Sequence, residues 1–287
     1  MSGTVDIEVK HEAGVLKTVM SNRALVIGIS ILICLALIAL IGPLFVVEPT
    51  AINPINRLKP PSADIFFGTD FLGRDIFSRV INGGRVSLTV GITVALISVG
   101  IGLILGLFAG YIRLLDALIM RVMDGLMAIP GILLAIALIS LSGASLTTVI
   151  IAIVIPEVPR VVRLVRAVVL TVREEAYVEA AIAAGTNLTN IMVRHILPNT
   201  IAPLIVQATY VCASAMLTES ILGFLGAGVP PEIPSWGNIM SEGRTYFQIC
   251  PWIIFFPGVA LAITVMSVNI VGDGLRDTLD PRIARKM

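Results

Sequence analysis

Two carboxylates placed within apolar stretches are the residues best suited to chemistry in this chain. Glu219 lies in the run Ile201–Leu225, and Glu157 lies in the run Leu146–Val162. A charge at the centre of a bilayer costs roughly 2.5–3.5 kcal/mol, so each carboxylate must face a bundle interior, a partner or a water-filled path. Each residue is therefore a candidate for lining a path for polar solutes, with a buried hydrogen-bonding group as the alternative.

Sites for metals and nucleotides are not indicated elsewhere in the sequence. Both histidines, His11 and His195, stand alone, and the three cysteines lack the spacing of metal ligands. There is no G-x-x-x-x-G-K-[ST] phosphate loop, and none of the four lysines follows a glycine-rich turn. We expect no metal or cofactor on this chain and no enzymatic activity. Energy from ATP would have to arrive through another polypeptide.

A short charged insert, the charged loop (residues about 170–198), separates two long apolar segments. Strong helix formers fill Glu174–Ala184, and Gly185 suits the positive φ that follows a helix C-terminus. Thr186 or Asn187 can cap a second helix, which should stop before Pro198. We predict two short helices joined at the glycine, the first with small side chains that allow close approach to a partner.

Composition and hydropathy indicate a helical membrane protein. The chain has 287 residues, of which 56% are hydrophobic and 14% are charged, whereas about a quarter of residues are charged in ordinary globular domains. Apolar runs of about 17 to 25 residues are long enough to cross a bilayer. Six spans are predicted, the fourth interrupted by Glu157 between Pro156 and Pro159: Leu25–Val47, Ser87–Tyr111, Leu118–Leu141, Leu146–Val162, Ile201–Leu225 and Pro251–Val271.

The distribution of basic residues predicts the orientation. With the N-terminus inside, the inner segments hold 14 Lys and Arg and the outer segments hold six, which favours both termini in the cytoplasm. The predicted organisation is a cytoplasmic segment 1–24, a first span 25–47, an external segment 48–86, a five-helix core 87–271 and a cytoplasmic tail 272–287. The charged loop lies between the fourth and fifth spans, on the cytoplasmic side.

The external segments contain candidate gate or docking residues. Asp70, Arg74 and Asp75 belong to a glycine-rich stretch suited to turns and ion pairs. It is either a folded plug stabilised by its own charges or a docking surface for an external protein. Trp236 follows a proline-stiffened loop and either docks the same partner or seals the outer mouth, the second being favoured.

Two further patterns leave alternatives open. Arginines at positions 160, 163 and 166 share one helix face, where they either reach the lipid headgroups or dock a partner. Gly102, Gly106 and Gly110 form a close-packing face, either within the chain or against another subunit.

The charged loop resembles the coupling loop of the membrane subunits of binding-protein-dependent ATP-binding-cassette importers. The resemblance rests on Glu179-Ala180-Ala181, three residues, Gly185, and then nine residues to an x-x-Leu197-Pro198 ending. His195 departs from the broad pattern, and Arg194–Asn199 looks like the peptide-importer branch. Three more blocks resemble the C-type permeases of dipeptide, oligopeptide and nickel importers: Gly68–Leu88, Phe224–Gly237 and Gly272–Arg282. The resemblance runs from about residue 20 to 282.

The resemblance implies a type I importer fold and a set of partners. These are a homologous second permease, two cytoplasmic subunits that bind ATP and Mg, an extracytoplasmic substrate-binding protein and the lipid bilayer, with no nucleic acid. Tyr177, Glu179, Ala180, Ala181, Gly185, Leu197 and Pro198 would form the ATPase coupling contact. The location would be a bacterial or archaeal inner membrane, and the cargo would be short peptides or, alternatively, nickel chelates or another small solute.

Two other classes of function remain as alternatives. An ion-coupled secondary transporter would be self-sufficient in driving force and would be expected to show inverted repeats, of which none is convincing here. A non-transporting membrane scaffold would bind partners through its loops. Dependence of uptake on a co-expressed ATPase separates the importer from the first alternative, and absence of any flux would indicate the second.

Overall fold

A computed structural model describes residues 22–279. Within this range the fold is helical, with one isolated bridge between Thr69 and Asp75 as its β structure. The ten α-helices are α1 (Arg23–Ile41), α2 (Ile76–Tyr111), α3 (Arg113–Met127), α4 (Gly131–Ser142), α5 (Leu146–Val172), α6 (Ala176–Ala183), α7 (Leu188–Asn190), α8 (Leu197–Phe224), α9 (Trp236–Gly243) and α10 (Trp252–Leu279).

The second predicted span is part of a much longer helix. Helix α2 begins at Ile76 rather than Ser87, and its 36 residues correspond to about 54 Å at 1.5 Å per residue. The carboxylate of Asp75 caps its N-terminus by accepting a hydrogen bond from the Ser78 backbone N–H at 2.9 Å. The last part of the predicted external segment is therefore a helical extension of a span.

The third predicted span consists of two helices. Helices α3 and α4 are bent by 86° at the short break between Met127 and Gly131. Pro130 precedes α4, and proline disfavours helical backbone in the residue before it. Hydropathy along the sequence does not reveal this break, because the residues on both sides of it are apolar.

The fourth predicted span is continuous through its prolines. Helix α5 runs over 27 residues with Pro156 and Pro159 inside it, so the expected interruption is wrong. Packed neighbours can satisfy the backbone groups that a proline frees. The helix also continues past Val162 to Val172, which extends it from the bundle to the charged loop.

Helices α2 and α5 pack along the glycine face. A Cβ added to Gly102, Gly106 or Gly110 would lie 2.5–2.6 Å from a Cβ of α5. The facing side chains are Val161, Val165 and Val169, which are buried. The glycine face thus packs within the chain, and it allows α2 and α5 to pack closely against each other.

Four helices of residues 22–279 are long and apolar enough to cross a membrane by length and composition, or five if the α3–α4 pair is one span. The four comprise α1, α2, α8 with its N-terminal extension, and α10. Helix α5 is long enough to cross a membrane. It is not among the four because its first 18 residues contain three charged side chains. The predictions for residues 1–21 and 280–287, including the end of the tail motif at Asp280–Arg282, lie outside the described residues.

Candidate functional site

The first half of the charged loop is an exposed helix anchored by one buried side chain. Val178 of α6 is fully buried and belongs to the main apolar cluster, which also contains residues of α5 and α8. Glu179 and Ala180 are exposed, and Tyr177 and Ile182 are each 47% exposed. A short helix that presents apolar side chains together with a carboxylate is suited to contact with another protein.

Gly185 forms the predicted elbow. Its φ is +80°, a conformation that glycine adopts without a steric penalty. The Thr186 N–H donates to the Ala181 carbonyl at 3.1 Å and the Gly185 N–H donates to the Ile182 carbonyl at 3.0 Å, the pattern of a glycine-terminated helix. Asn187 then caps α7, since its side-chain oxygen accepts from the Asn190 N–H at 2.9 Å.

The second half of the loop joins α8 directly, so the prediction of a helix ending before Pro198 is wrong. A π-helical turn, Ile191–Ile196, leads from α7 into α8, and the Leu197 N–H donates to the carbonyl of Met192, five residues earlier. Pro198 lies in the first turn of α8, where a missing N–H is tolerated. The π-helical turn thus lets the helical backbone continue past Pro198.

The two halves of the charged loop contact each other at the start of α8. The Asn199 side chain donates to the Tyr177 hydroxyl at 3.1 Å and to the His195 carbonyl at 2.6 Å. The Tyr177 and His195 rings are 6.1 Å apart. Asn199 therefore links α6 to the first turn of α8.

The three arginines of α5 all pair with carboxylates of the chain. Arg166 forms a bidentate pair with Asp116 of α3, at 2.5 and 2.7 Å. Arg163 pairs with Asp124 of α3 at 2.6 Å, and Arg160 pairs with Glu157 of its own helix at 3.1 Å. These contacts fix α3 to the part of α5 that leads into the charged loop.

Glu157 connects α5 to α8. Its carboxylate is buried and accepts hydrogen bonds from Arg160 and from the Ser214 hydroxyl, the latter at 2.9 Å. Its charge is thus compensated inside the chain. A role in lining a path stays a prediction.

Glu219 is fully buried between α2, α8 and the start of α9. Its Oε2 accepts hydrogen bonds from Ser87 of α2 at 3.0 Å and from Ser220 at 3.4 Å. Among residues 22–279, its Oε1 has no hydrogen-bond partner. The position within the chain is that of a buried hydrogen-bonding group, and a path-lining role for Glu219 also stays a prediction.

At the N-terminal end of α2, a four-charge cluster (Asp70, Arg74, Arg79 and Glu242) holds three elements together. Arg74 and Arg79 both pair with Asp70, the latter at 2.9 Å, and both pair with Glu242 of α9. Asp70 and Arg79 are almost completely buried. Two positive and two negative groups that satisfy each other fix the predicted external segment to α2 and α9. They leave Asp70 and Arg74 little surface for a docked protein.

The other two external candidates also make contacts within the chain. Asp75 caps α2, and the Trp236 indole N–H donates to the Val80 carbonyl at 2.9 Å. The Trp236 ring is 3% exposed and packs over the α2 backbone, where a Cβ at Gly84 would come within 3.0 Å of it. Docking and sealing by these residues remain predictions, but their side chains are used in packing.

Sequence reasoning missed Glu242 and the helix-to-helix pairs of α5. Glu242 lies 163 and 168 residues from its two arginines, and no local pattern marks it. A signal was available for α3, since Asp116 and Asp124 lie on this helix and Arg163 and Arg166 lie on α5. Opposite charges on neighbouring amphipathic helices favour such pairing.

Comparison with known families decides the class of protein. The profile described as "Binding-protein-dependent transport system inner membrane component" matches residues 98–285. The chain belongs to this family. A second profile, "N-terminal TM domain of oligopeptide transport permease C", matches residues 14–61. The chain is thus a multi-pass membrane permease of the binding-protein-dependent transport systems, as the four blocks of sequence had indicated.

Several curated permeases are similar over nearly their whole length. A probable peptide ABC transporter permease of Sinorhizobium fredii is 52% identical over 95% of this chain and 94% of the relative. The dipeptide transport system permease protein DppC of Alkalihalophilus pseudofirmus is 44% identical, over 93% and 88%. The oligopeptide transport system permease protein OppC of Bacillus subtilis is 37% identical, over 92% and 88%.

The fold of the permease also has a relative among solved structures. A chain of the methionine ABC transporter MetNI in an inward-facing conformation superposes with a TM-score of 0.56 at 21% identity, covering 71% of this chain and 96% of that chain. At this identity the match speaks for the fold alone. It is the fold of a type I importer permease.

Proposed function

We propose that this permease is half of the membrane pathway of an ATP-driven importer of short peptides. The observation that carries the proposal is the 52% identity to a probable peptide ABC transporter permease over 95% of the chain. Relatives named for dipeptides and oligopeptides support the same class of cargo. The second half of the pathway is a homologous permease, and an external binding protein delivers the peptide.

The charged loop is the contact through which ATP hydrolysis in partner subunits moves the permease. Helix α6 supports this role because it presents Tyr177, Glu179 and Ile182 to the outside while Val178 anchors it. The link from Tyr177 to Asn199 then joins the contact to α8. ATP and Mg are bound by the partner subunits in this scheme, and this chain acts as the moved element.

Six spans with both termini in the cytoplasm complete the proposal. They are α1, α2, the α3–α4 pair, α5, α8 and α10, and the charged loop between α5 and α8 then faces the cytoplasm of a bacterial cell. The charges of α5 are compatible with a span because each is paired with a carboxylate or a serine within the chain.

Co-purification with the ATPase subunits and uptake of a labelled dipeptide test the function together. Glu179→Arg reverses the exposed charge in the first turn of α6, and Glu174→Arg is the matched control, an exposed glutamate before the helix. Wild type and Glu174→Arg are expected to retain the ATPase and uptake, and Glu179→Arg is expected to lose both. If no version retains an ATPase, or if uptake continues without one, the importer proposal fails and a self-powered transporter takes its place.

A further inference from the structure

The break between α3 and α4 lies about halfway through the membrane part of α5. A Cβ added to Gly131, the first residue of α4, would lie 3.1 Å from the Cβ of Pro156. Pro156 follows Leu146, the first residue of α5, by a distance of about 15 Å at 1.5 Å per residue. In the proposed six-span arrangement α5 enters the membrane at Leu146, so the break lies near the middle of an apolar core about 30 Å thick.

Residues at the break are exposed on the surface of the chain. Ala128, Ile129 and Pro130 are all exposed, and within residues 22–279 no side chain caps the N-terminus of α4. The last carbonyls of α3 and the first N–H groups of α4 lie outside the hydrogen-bond ladder of either helix. Non-helical backbone at this depth is tolerated only where it is buried in protein or lines a water-filled cavity. Lipid is therefore a poor neighbour for the break.

Charged side chains lie on the same face of α5 as the break. Pro156, Arg160 and Arg163 are spaced i, i+4 and i+7, which places them on one stripe of the helix. Arg163 pairs with Asp124 of α3, and the two side chains remain 45% and 61% exposed. We define the elbow face as Asp124, Ala128, Arg160 and Arg163. It combines charged groups with the end of a broken helix.

The guanidinium of Arg160 is directed away from the charged loop. It pairs at 3.1 Å with Glu157, which lies one turn closer to the start of α5, and the Arg160 side chain is still 57% exposed. The pair lies about 16 Å along α5 from Leu146, far from the headgroups at the charged-loop end. A charge exposed to lipid at this depth is strongly disfavoured, so the exposed side of Arg160 needs water or protein.

We propose that the elbow face lines the water-filled path through which the solute crosses, and that Arg160 is a cationic group that attracts solute carboxylates there. A protein partner fits less well, because three charged side chains are exposed on this face and the buried centre of a protein interface is depleted of charge. The path as a route for solute rests on the proposed function. The contact with water follows from α3, α4 and α5 alone.

Reaction of an engineered thiol with charged reagents tests the water contact in the assembled importer. Ala128→Cys places the thiol at the break, in a chain whose Cys34, Cys212 and Cys250 are replaced by alanine. In inside-out vesicles without ATP, a membrane-impermeant cationic methanethiosulfonate is expected to modify this thiol at least ten-fold faster than a control thiol at the same depth. Labelling after denaturation in detergent measures the total thiol in each sample.

Leu96→Cys supplies the matched control. Helices α2 and α5 run parallel, with Gly102 packed on Val161 and Gly106 packed on Val165, so Leu96 lies at about the depth of the break. Its side chain is 69% exposed and belongs to an apolar part of α2. We expect this thiol to react slowly because no charged group or helix break brings water to it.

The contribution of Arg160 is tested by comparing reagents of opposite charge at Ala128→Cys. A nearby guanidinium raises the rate for an anionic methanethiosulfonate relative to the cationic one. This ratio is expected to fall several-fold in Arg160→Gln and to persist in Arg160→Lys and in Arg85→Gln, an exposed arginine of α2. If Arg160→Gln does not assemble, the double variant Glu157→Gln, Arg160→Gln serves in its place, since it leaves no buried carboxylate behind. An unchanged ratio would overturn the role of Arg160.

The rates at the two cysteines decide the path assignment. If Ala128→Cys reacts no faster than Leu96→Cys, lipid or another subunit covers the elbow face and the proposal is wrong. Dipeptide uptake by the same variants keeps this result separate from the importer function. Uptake with an unreactive thiol removes only the path assignment, and fast reaction without uptake removes only the importer function.

Discussion

Arg79 and Glu242 lie 163 residues apart, and the guanidinium of Arg79 donates to both carboxylate oxygens of Glu242, one of them at 3.1 Å. The contact joins the first turn of α2 to α9. Asp70 and Arg74 complete the cluster from the external segment. These ion pairs therefore cross-link the predicted external segment, α2 and α9.

Removal of one member of the four-charge cluster should destabilise the protein strongly. In Arg79→Met, two carboxylates remain with one arginine, and breaking a buried ion pair in this way costs about 3–5 kcal/mol. The measurement is unfolding of the purified permease in detergent. Arg85→Met, at an exposed position of α2, should stay within about 0.5 kcal/mol. Equal stability of the two variants would contradict a structural role for the cluster.

The glycine seam between α2 and α5 should not accept a methyl group. Gly106→Ala places a Cβ 2.6 Å from that of Val165, and such overpacking costs about 1–3 kcal/mol. Gly100→Ala, where nothing lies within 4 Å, should be neutral or stabilising, because alanine is the better helix former. The double variant Gly106→Ala, Val165→Ala should recover part of the loss in a thermal unfolding assay. No recovery would indicate that the seam is not the cause.

The two ion pairs between α3 and α5 should differ in strength. The Asp116–Arg166 side chains are 23% and 31% exposed, whereas those of Asp124–Arg163 are 61% and 45% exposed. Double-mutant cycles with alanine should give an interaction energy of about 1–3 kcal/mol for the bidentate, more buried pair. The exposed pair should give about 0–1 kcal/mol. The reverse order would mean that solvent exposure in the membrane-embedded protein differs from that in the isolated chain.

The effect of a substitution at Gly185 should depend on how readily the new residue adopts left-handed backbone, and not on its size. At φ +80°, Gly185→Asn is expected to be tolerated and Gly185→Val to disturb the loop, since asparagine adopts this region and a β-branched residue does not. There is open space around the position, so a steric clash is not the cause. The measurement is retention of the ATPase subunits at equal membrane abundance. Equal loss with asparagine and valine would point to a direct need for glycine at the contact.

Peptide uptake should not depend on the negative charge of Glu219. Stability should depend on the side-chain oxygen that accepts the hydrogen bond from Ser87. Glu219→Gln keeps an oxygen that can accept from Ser87, so peptide uptake at equal abundance is expected to stay near wild type. Glu219→Leu removes the acceptor and is expected to lower stability by about 1–3 kcal/mol. Loss of uptake in the glutamine variant with unchanged stability would instead place the carboxylate in the transport path.

Local sequence determined the elements of this protein. Continuous apolar runs located the long apolar helices α1, α2, α8 and α10, because a bilayer-spanning helix needs about 20 apolar residues. Gly185 was identifiable because the end of a helix so often needs a positive φ, and the family was identifiable from four spaced blocks. Prolines were less informative: Pro130 marks the sharp α3–α4 break, while Pro156, Pro159 and Pro198 lie within helices.

Only the tertiary structure decided which partners these elements have. The glycine face of α2 meets the valines of α5, the α5 arginines meet the α3 aspartates, and Arg79 meets Glu242. Such pairs are far apart in sequence, and their formation depends on how helices pack rather than on local propensity. For the charged pairs, the physical reason is the cost of burying a polar group without a partner. This cost acts only once the fold has brought the groups together.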